Sequence, residues 1–182
     1  MTPTFDENRL RFQFDAKWAV VKYDEHRDYR ERLQKLAGSK AVDFVGIRGD
    51  EAFLIEVKDF RGHRIANKQR LTSGELAAEV GQKVRDTIAG LVGAYRTSCE
   101  PDSWRPFARA ISCRQRVLKI IVWLEDDMAK NAQCWSQQAS VLQNLVKQQT
   151  FWITARVLVV NGRAGSAPPG LVVSNLPGAG QP

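Results

Sequence analysis

Apolar and polar residues alternate most regularly along residues 41–58, Ala-Val-Asp-Phe-Val-Gly-Ile-Arg-Gly-Asp-Glu-Ala-Phe-Leu-Ile-Glu-Val-Lys. Both flanks are rich in β-branched and aromatic residues, and the period of two predicts two half-buried strands. Between them lies Arg48-Gly49-Asp50-Glu51, and a two-residue loop with glycine first suits a type II′ hairpin turn. If Arg48 pairs with Glu51, Asp43 falls directly opposite Glu56, and Lys58 returns to the same face two residues on. Side chains so placed are about 5 Å apart at Cβ, close enough for two carboxylates to share a divalent cation. The placement needs an even loop, because a one-residue bulge turns the carboxylates to opposite faces.

Other segments follow different periods. Residues 10–23 alternate loosely around Phe12, Phe14, Trp18, Val20 and Tyr23, predicting one strand or a hairpin. Residues 24–37 are charged, with Tyr29, Leu33 and Leu36 at helical spacing before Gly38, a stop signal. Thr72 or Ser73 would cap a long helix to about Tyr95 that buries Leu76, Val80, Val84, Ile88, Leu91 and Tyr95, leaving Glu79, Gln82, Lys83 and Asp86 on its other side. Residues 97–112 read as a proline-containing connection carrying Trp104 and Phe107. A strand over 116–124 is apolar enough to be buried on both faces. A helix over 131–149 follows, with Ala132, Trp135, Ala139, Leu142 and Val146 as its stripe, then a short strand over 155–161. Glycine and proline dominate from residue 162, except for 171–176, which would add an edge strand or dock on the core. Helices interleaved with strands predict an α/β fold with a mixed central sheet and helices on both faces, a three-layer α/β/α arrangement. The division expected is one domain over 1–161 and a glycine- and proline-rich tail over 162–182.

Composition sharpens the functional reading. The 182 residues carry 27 Lys and Arg against 20 Asp and Glu, a net charge of +7. Such an excess favours polyanions, nucleic acid first and an anionic membrane surface second. Cys99, Cys113 and Cys134 are odd in number and lack metal-ligand spacing, and His26 and His63 are the only histidines. A zinc site and a disulfide framework are therefore not expected, in keeping with a cytoplasmic chain. The amino terminus is polar and acidic, unlike a secretory signal. No apolar run is long enough to predict a transmembrane helix.

Asp43 followed by Glu56-Val57-Lys58, with a helix before and a helix and strand after, resembles the PD-(D/E)XK nuclease superfamily over residues 20–125, including its restriction endonuclease-like and Holliday junction resolvase-like members. The resemblance implies a restriction endonuclease-like core and hydrolysis of phosphodiester bonds, in DNA rather than RNA. It makes Asp43 and Glu56 ligands of Mg²⁺ (or Mn²⁺), adds the Val57 carbonyl as a further ligand, and assigns Lys58 to position the attacking water. The residue before Asp43 is Val42, where the motif's name has proline. The superfamily's first-helix acid corresponds to Glu25 or Glu31, with Glu31 favoured, and Gln82 matches a polar residue near the metal. Lys58 beside two carboxylates is expected to stay protonated and act electrostatically.

Arg61, Arg64, Lys68 and Arg70 follow directly and, with Lys83 and Arg85, are candidates to track a phosphate backbone. Lys83 has a structural role open to it as a partner of Glu79 along the helix. His63 reads as a bystander, Glu125-Asp126-Asp127 as caps, and Trp104 either stacks on a base or packs. The expected partner is nucleic acid, with no membrane, and a homodimer would allow both strands to be cut. The alternative is a non-catalytic basic nucleic-acid-binding module of the same fold. A structural protein using the carboxylates only as an ion-pair cluster is a third reading.

Overall fold

Strand β5 (Glu51–Asp59) runs through the middle of a five-stranded sheet. The computed structural model describes residues 2–62, 69–127, 132–163 and 167–177. Before β5 come β1 (Thr4–Glu7), β2 (Leu10–Phe14), β3 (Trp18–Lys22), α1 (Arg27–Glu31), a 3-10 turn (Leu33–Lys35) and β4 (Phe44–Arg48). After it come α2 (Glu75–Thr97), α3 (Pro101–Ser112), β6 (Val117–Glu125), α4 (Ala132–Thr150), β7 (Val157–Val160) and β8 (Leu171–Asn175). The main sheet has the order β3-β4-β5-β6-β7, antiparallel from β3 to β5 and parallel from β5 to β7.

The hairpin has the expected even register, with Arg48 opposite Glu51 and Phe44 opposite Ile55. Gly49 has φ 57°, while Asn8 is the only non-glycine at positive φ among the described residues, so the turn needs glycine only at its first position. Alternation along β5 then divides its side chains. Ala52 and Leu54 join a core shared with α2, α3 and α4. Phe53, Ile55 and Val57 join a second core with Phe12, Phe14, Phe44, Ile121 and Trp123.

That second core corrects two expectations. β5 is buried on both faces, not one, and among the described residues the helices lie on one side of the sheet. A small antiparallel sheet, β1-β2-β8, covers the face opposite the helices. The layers are helices, five-stranded sheet and three-stranded sheet. The parallel crossovers explain this. β5 to β6 passes through α2 and α3, β6 to β7 through α4, and both step the same way across the sheet. Crossovers of one hand stepping in one direction put their helices on one face. The vacated face is closed by aromatic contacts between the sheets, among them Phe12 with Phe44 at 5.1 Å and with Trp123 at 5.7 Å between ring centroids. Residues 171–175 supply β8, whose Val173 pairs with Phe12.

Two helices differ from the sequence reading. The single helix expected over 24–37 is a five-residue helix and a separate 3-10 turn, broken where Arg32 leaves helical dihedrals. Tyr29 is buried but Leu36 is 60% exposed, so the segment lacks the continuous apolar stripe that tertiary packing would need to hold a longer helix. The connection expected over 97–112 contains α3, which starts at Pro101 and tolerates Pro106 inside it. Proline suits the first turn because its missing N–H is not needed there. Trp104 is buried and its indole N–H donates to Asp28 Oδ2 at 2.7 Å, so it packs and is not available to stack on a base.

Gly46 sits on β4 against Trp18, and a Cβ there would lie 2.7 and 2.9 Å from ring carbons. Gly93, in the last turns of α2, has nothing within 4 Å of a Cβ. Gly46→Ala is expected to lower stability by about 1–3 kcal/mol through overpacking. Gly93→Ala is expected to raise it by about 0.5–1 kcal/mol through helix propensity. Urea unfolding of the two variants beside the wild type checks both signs.

Candidate active site

The charged residues of the hairpin meet α2 at the end of the sheet where β5 finishes. Asp43 lies one residue ahead of β4. Its carbonyl accepts from the Tyr23 N–H at 2.8 Å and its Oδ2 from the Val57 N–H at 2.5 Å. Glu56 follows Leu54 on the helix side of β5 and is 0% exposed. Its Oε1 accepts from Lys58 Nζ at 2.9 Å and Lys83 Nζ at 2.7 Å, while Oε2 is buried without a partner. Lys58 also reaches Glu79 Oε1 at 2.8 Å, and Arg70 holds the other Glu79 oxygen at 2.5 Å. Lys83 is 3.8 Å from Asp43 Oδ1.

Glu79 and Lys83 are four residues apart on α2, so both project from the same helix face. That face meets the sheet, against the expectation that it looks to solvent. Burial explains the reversal: Glu56 has no access to water, so the helix opposite must supply cations. The result is an alternating chain of basic and acidic groups, Arg70–Glu79–Lys58–Glu56–Lys83–Asp43.

A second acidic group adjoins Asp43. Oxygens of Glu7, Asp24 and Asp43 lie within 4.8 Å of one another. Glu7 is tied to Lys22 at 2.9 Å, whereas Asp24 Oδ1 is buried without a partner. Burial and the neighbouring Glu56 push the Asp43 carboxyl up to about 8, although Lys83 and the Val57 N–H pull the other way. Burial, then Glu7, raises Asp24 to about 6. Lys58 is also raised: burial disfavours its charge, but Glu56 and Glu79 outweigh that and hold the ammonium above its ordinary value. An open cleft of about 530 Å³, lined by Asp24, Tyr29, Arg30, Gln34, Lys40 and Lys83, leads onto this cluster.

The structure therefore brings Asp43, Glu56, Lys58 and Lys83 together and leaves other candidates elsewhere. Glu31 is exposed and Glu25 pairs with Lys22 at 2.8 Å, so the acid beside Asp43 is Asp24 and not a residue of α1. Gln82 Nε2 donates to the Gly38 carbonyl at 2.6 Å, away from the carboxylates. Arg61 is bound to Asp59 at 2.7 Å, a carboxylate it shares with Arg9, and to Asn175 at 2.5 Å. Arg70 is committed to Glu75 and Glu79. His63, Arg64 and Lys68 lie outside the described residues. Glu125, Asp126 and Asp127 accept bonds from the Trp123 indole, the Gln138 amide and the Gly62 N–H respectively, ties to the strand, the following helix and a loop rather than the helix caps expected. Glu7, Asp24 and Glu79 were not picked out from sequence. Glu79 carried a signal, its spacing from Lys83, but nothing local places Glu7 or the end of β3 beside Asp43.

No family model and no solved structure matches the chain. A cysteine–tRNA ligase of Neisseria meningitidis serogroup A / serotype 4A (strain DSM 15465 / Z2491) is 27% identical over 151 residues, covering 67% of this chain. The chain spans 21% of the length of that relative.

The raised Asp43 carboxyl carries a sign for stability. Its folded form holds a proton that the unfolded form releases near pH 4, so its contribution is complete below that and is lost as pH rises toward about 8. Asparagine keeps an acceptor for the Val57 N–H without titrating. In metal-free solution Asp43→Asn is expected to be more stable than wild type at pH 8, with the difference shrinking toward pH 4, as thermal melts across that range would show.

Proposed function

We propose that this protein is a metal-dependent nuclease that hydrolyses phosphodiester bonds. The observation that carries the reading is the convergence of Asp43, Glu56 and Lys58 on one sheet face, in register, with an orphaned buried oxygen on Glu56. Partnerless buried carboxylate oxygens on Glu56 and Asp24, beside an Asp43 that is hard to ionise without a cation, fit a hard divalent ion such as Mg²⁺ or Mn²⁺. Asp43 and Glu56 would hold the ion, with the Val57 carbonyl as the further ligand that the resemblance implies; Asp24 adjoins Asp43 together with Glu7. Bound there, it would polarise the phosphoryl oxygen and acidify water. Its charge would favour the ionised form of Asp43 and offset the repulsion from Glu56.

Lys58 is already charged and held between Glu56 and Glu79, so its task is to orient water and offset charge growing on the phosphate. Lys83, Lys40 and Arg30 line the approach to the carboxylates and are suited to the flanking phosphates. Hydrolysis joins the water oxygen to phosphorus, breaks one phosphorus–sugar oxygen bond, and leaves a phosphomonoester and a hydroxyl end. DNA is the proposed substrate on the resemblance to the PD-(D/E)XK superfamily, and the restriction endonuclease-like core belongs to the same proposal. So do a cytoplasmic location and a homodimer; no helix among the described residues is long and apolar enough to cross a membrane.

The second reading, a basic nucleic-acid-binding module without turnover, draws on the charge of +7 and on the partial likeness to a cysteine–tRNA ligase. Labelled DNA and RNA panels incubated with Mg²⁺, Mn²⁺ or EDTA separate the two. The nuclease requires metal, and Asp43→Ala and Lys58→Ala are each expected to lose about 10²-fold or more in rate. Glu31→Ala and Gln82→Ala stay near wild type, because neither side chain reaches the carboxylates. Salt-sensitive binding without cleavage, unchanged in the first two variants, would replace the enzyme with the binding module. Independently of turnover, Mg²⁺ at about 100 times its Kd is expected to add about 2.7 kcal/mol of stability to the wild type and none to Asp43→Ala.

A further inference from the structure

Of the aromatic side chains only two, Phe151 and Trp152, are exposed; the others are buried or partly buried. Trp18, Trp104, Trp123 and Trp135 are at most 5% exposed, whereas Trp152 is 64% exposed and the adjacent Phe151 71%. Both stand in the turn that follows α4. That turn is anchored: the N–H groups of Ile153 and Thr154 donate to the Thr150 carbonyl at 2.8 Å, and Thr154 Oγ1 donates to the Leu118 carbonyl at 2.8 Å. A rigid turn thus holds two aromatic rings in water, an arrangement that folding alone does not call for.

Arginines surround the next residues of the same turn. Ile153, Thr154 and Arg156 line a cleft of about 480 Å³ together with Arg114 and Arg116. Arg116 Nη1 donates to the Gly49 carbonyl at 3.2 Å. Arg114 and Arg156 are exposed, and among the described residues neither guanidinium meets a carboxylate. Arg114 and Arg156, with no carboxylate partner among the described residues, share a cleft with the residues that directly follow the two exposed rings, which matches a strand that offers phosphates and unstacked bases at once.

We infer that this end of the molecule is a second nucleic-acid site, in which Phe151 and Trp152 stack on bases of a single strand while Arg114, Arg116 and Arg156 hold its phosphates. Single strand is favoured over duplex because paired bases hide the faces that the rings would cover. An acidic peptide would use the arginines but leave the rings idle. An anionic membrane would want a broader apolar surface than one turn flanked by Gln148, Gln149 and Thr154.

The site is separate from the carboxylates. β5 and β6 are parallel, with Glu51 level with Val117 and Lys58 level with Leu124. At about 3.3 Å per residue, seven residues put the base of β6 roughly 23 Å along the sheet from Lys58. The inference does not rest on metal binding or turnover at Asp43, and a strand held here would be presented to that end of the sheet as an extended ligand.

Trp152 supplies the readout. With EDTA present, titration of the full chain with oligo(dT) or oligo(rU) is expected to shield Trp152 from iodide quenching. The shielding signal should disappear in Trp152→Phe while binding persists, since phenylalanine keeps a stacking ring. Phe151→Ala and Trp152→Ala are each expected to weaken binding about tenfold, the scale of one stacked base. Arg114→Gln with Arg156→Gln is expected to weaken it further and to reduce the slope of log affinity against log salt by about 1.4, for two lost phosphate contacts. Asp43→Asn and Lys58→Ala should leave all of this within about twofold, so that failure of the nuclease reading and failure of this site are told apart. Unchanged affinity in the four aromatic and arginine changes, with circular dichroism showing the variants folded, would overturn the site. So would equal affinity for a duplex of the same length, or binding to phosphatidylserine vesicles with none to oligonucleotides.

Discussion

A carboxylate with no access to water sits on the central strand of this protein, and much of the architecture around it follows from that. Glu56 is fully buried, and an ionised carboxylate in such a place requires cations at hydrogen-bonding distance. One comes from its own strand, Lys58, and the other from α2, Lys83. The ion pairs therefore set how α2 lies across the sheet as surely as Leu76, Val80 and Val84 do. Glu79 then balances Lys58, and Arg70 balances Glu79. Breaking a buried pair by removing one partner typically costs about 3–5 kcal/mol, while an apolar replacement of the whole set is often neutral or stabilising. A chain selected only for stability would have little reason to keep six ionisable groups here, and that is the energetic argument for a chemical role.

The same strand divides the molecule. Alternation along β5 sends Leu54, Glu56 and Lys58 to the helices and Phe53, Ile55 and Val57 to the aromatic core under the three-stranded sheet. The even turn at Gly49 and Asp50 keeps Asp43 on the helix side. A slip of one residue would place Asp43 among Phe12, Phe14 and Trp123 and would turn Phe44 toward Lys83. Hairpin register, core composition and site geometry are one constraint expressed three ways. The aromatic core makes the register rigid, and the rigidity holds two carboxylates closer together than their mutual repulsion favours.

Charge is distributed to match. At the site end, acidic groups and cations are locked into pairs, with Arg30, Lys40 and Lys83 facing the open cleft. At the far end, Arg114 and Arg156, without acidic partners among the described residues, share a cleft with the residues that follow two exposed rings. The net charge of +7 is therefore not a uniform coat of solvated lysines and arginines: some of the basic residues neutralise buried carboxylates, and others are available to a polyanion. Arg61 and Arg70, which follow the hairpin in sequence and look available, are already bound to Asp59 and Glu79. Proximity along the chain was a poor guide to which cations are free.

What the sequence determined by itself was local and periodic. The period of two placed Asp43 opposite Glu56 with Lys58 beside them, the period of 3.6 marked the buried stripes of α2 and α4, and an unbroken apolar run marked β6. Those patterns record which residues share a face, because backbone geometry alone sets that. Tertiary structure decided which faces meet. It closed the second side of the sheet with the β1–β2 hairpin and with β8, a segment at the other end of the chain whose contact with β2 no short window reveals. It kept Pro101 and Pro106 within a helix whose Trp104 reaches Asp28, and it shortened α1, where packing could not sustain the charged stretch. It set Glu7 and Asp24 beside Asp43 and turned Glu79 and Lys83 inward, against their polarity, because a buried Glu56 needs cations more than α2 needs a charged outer face.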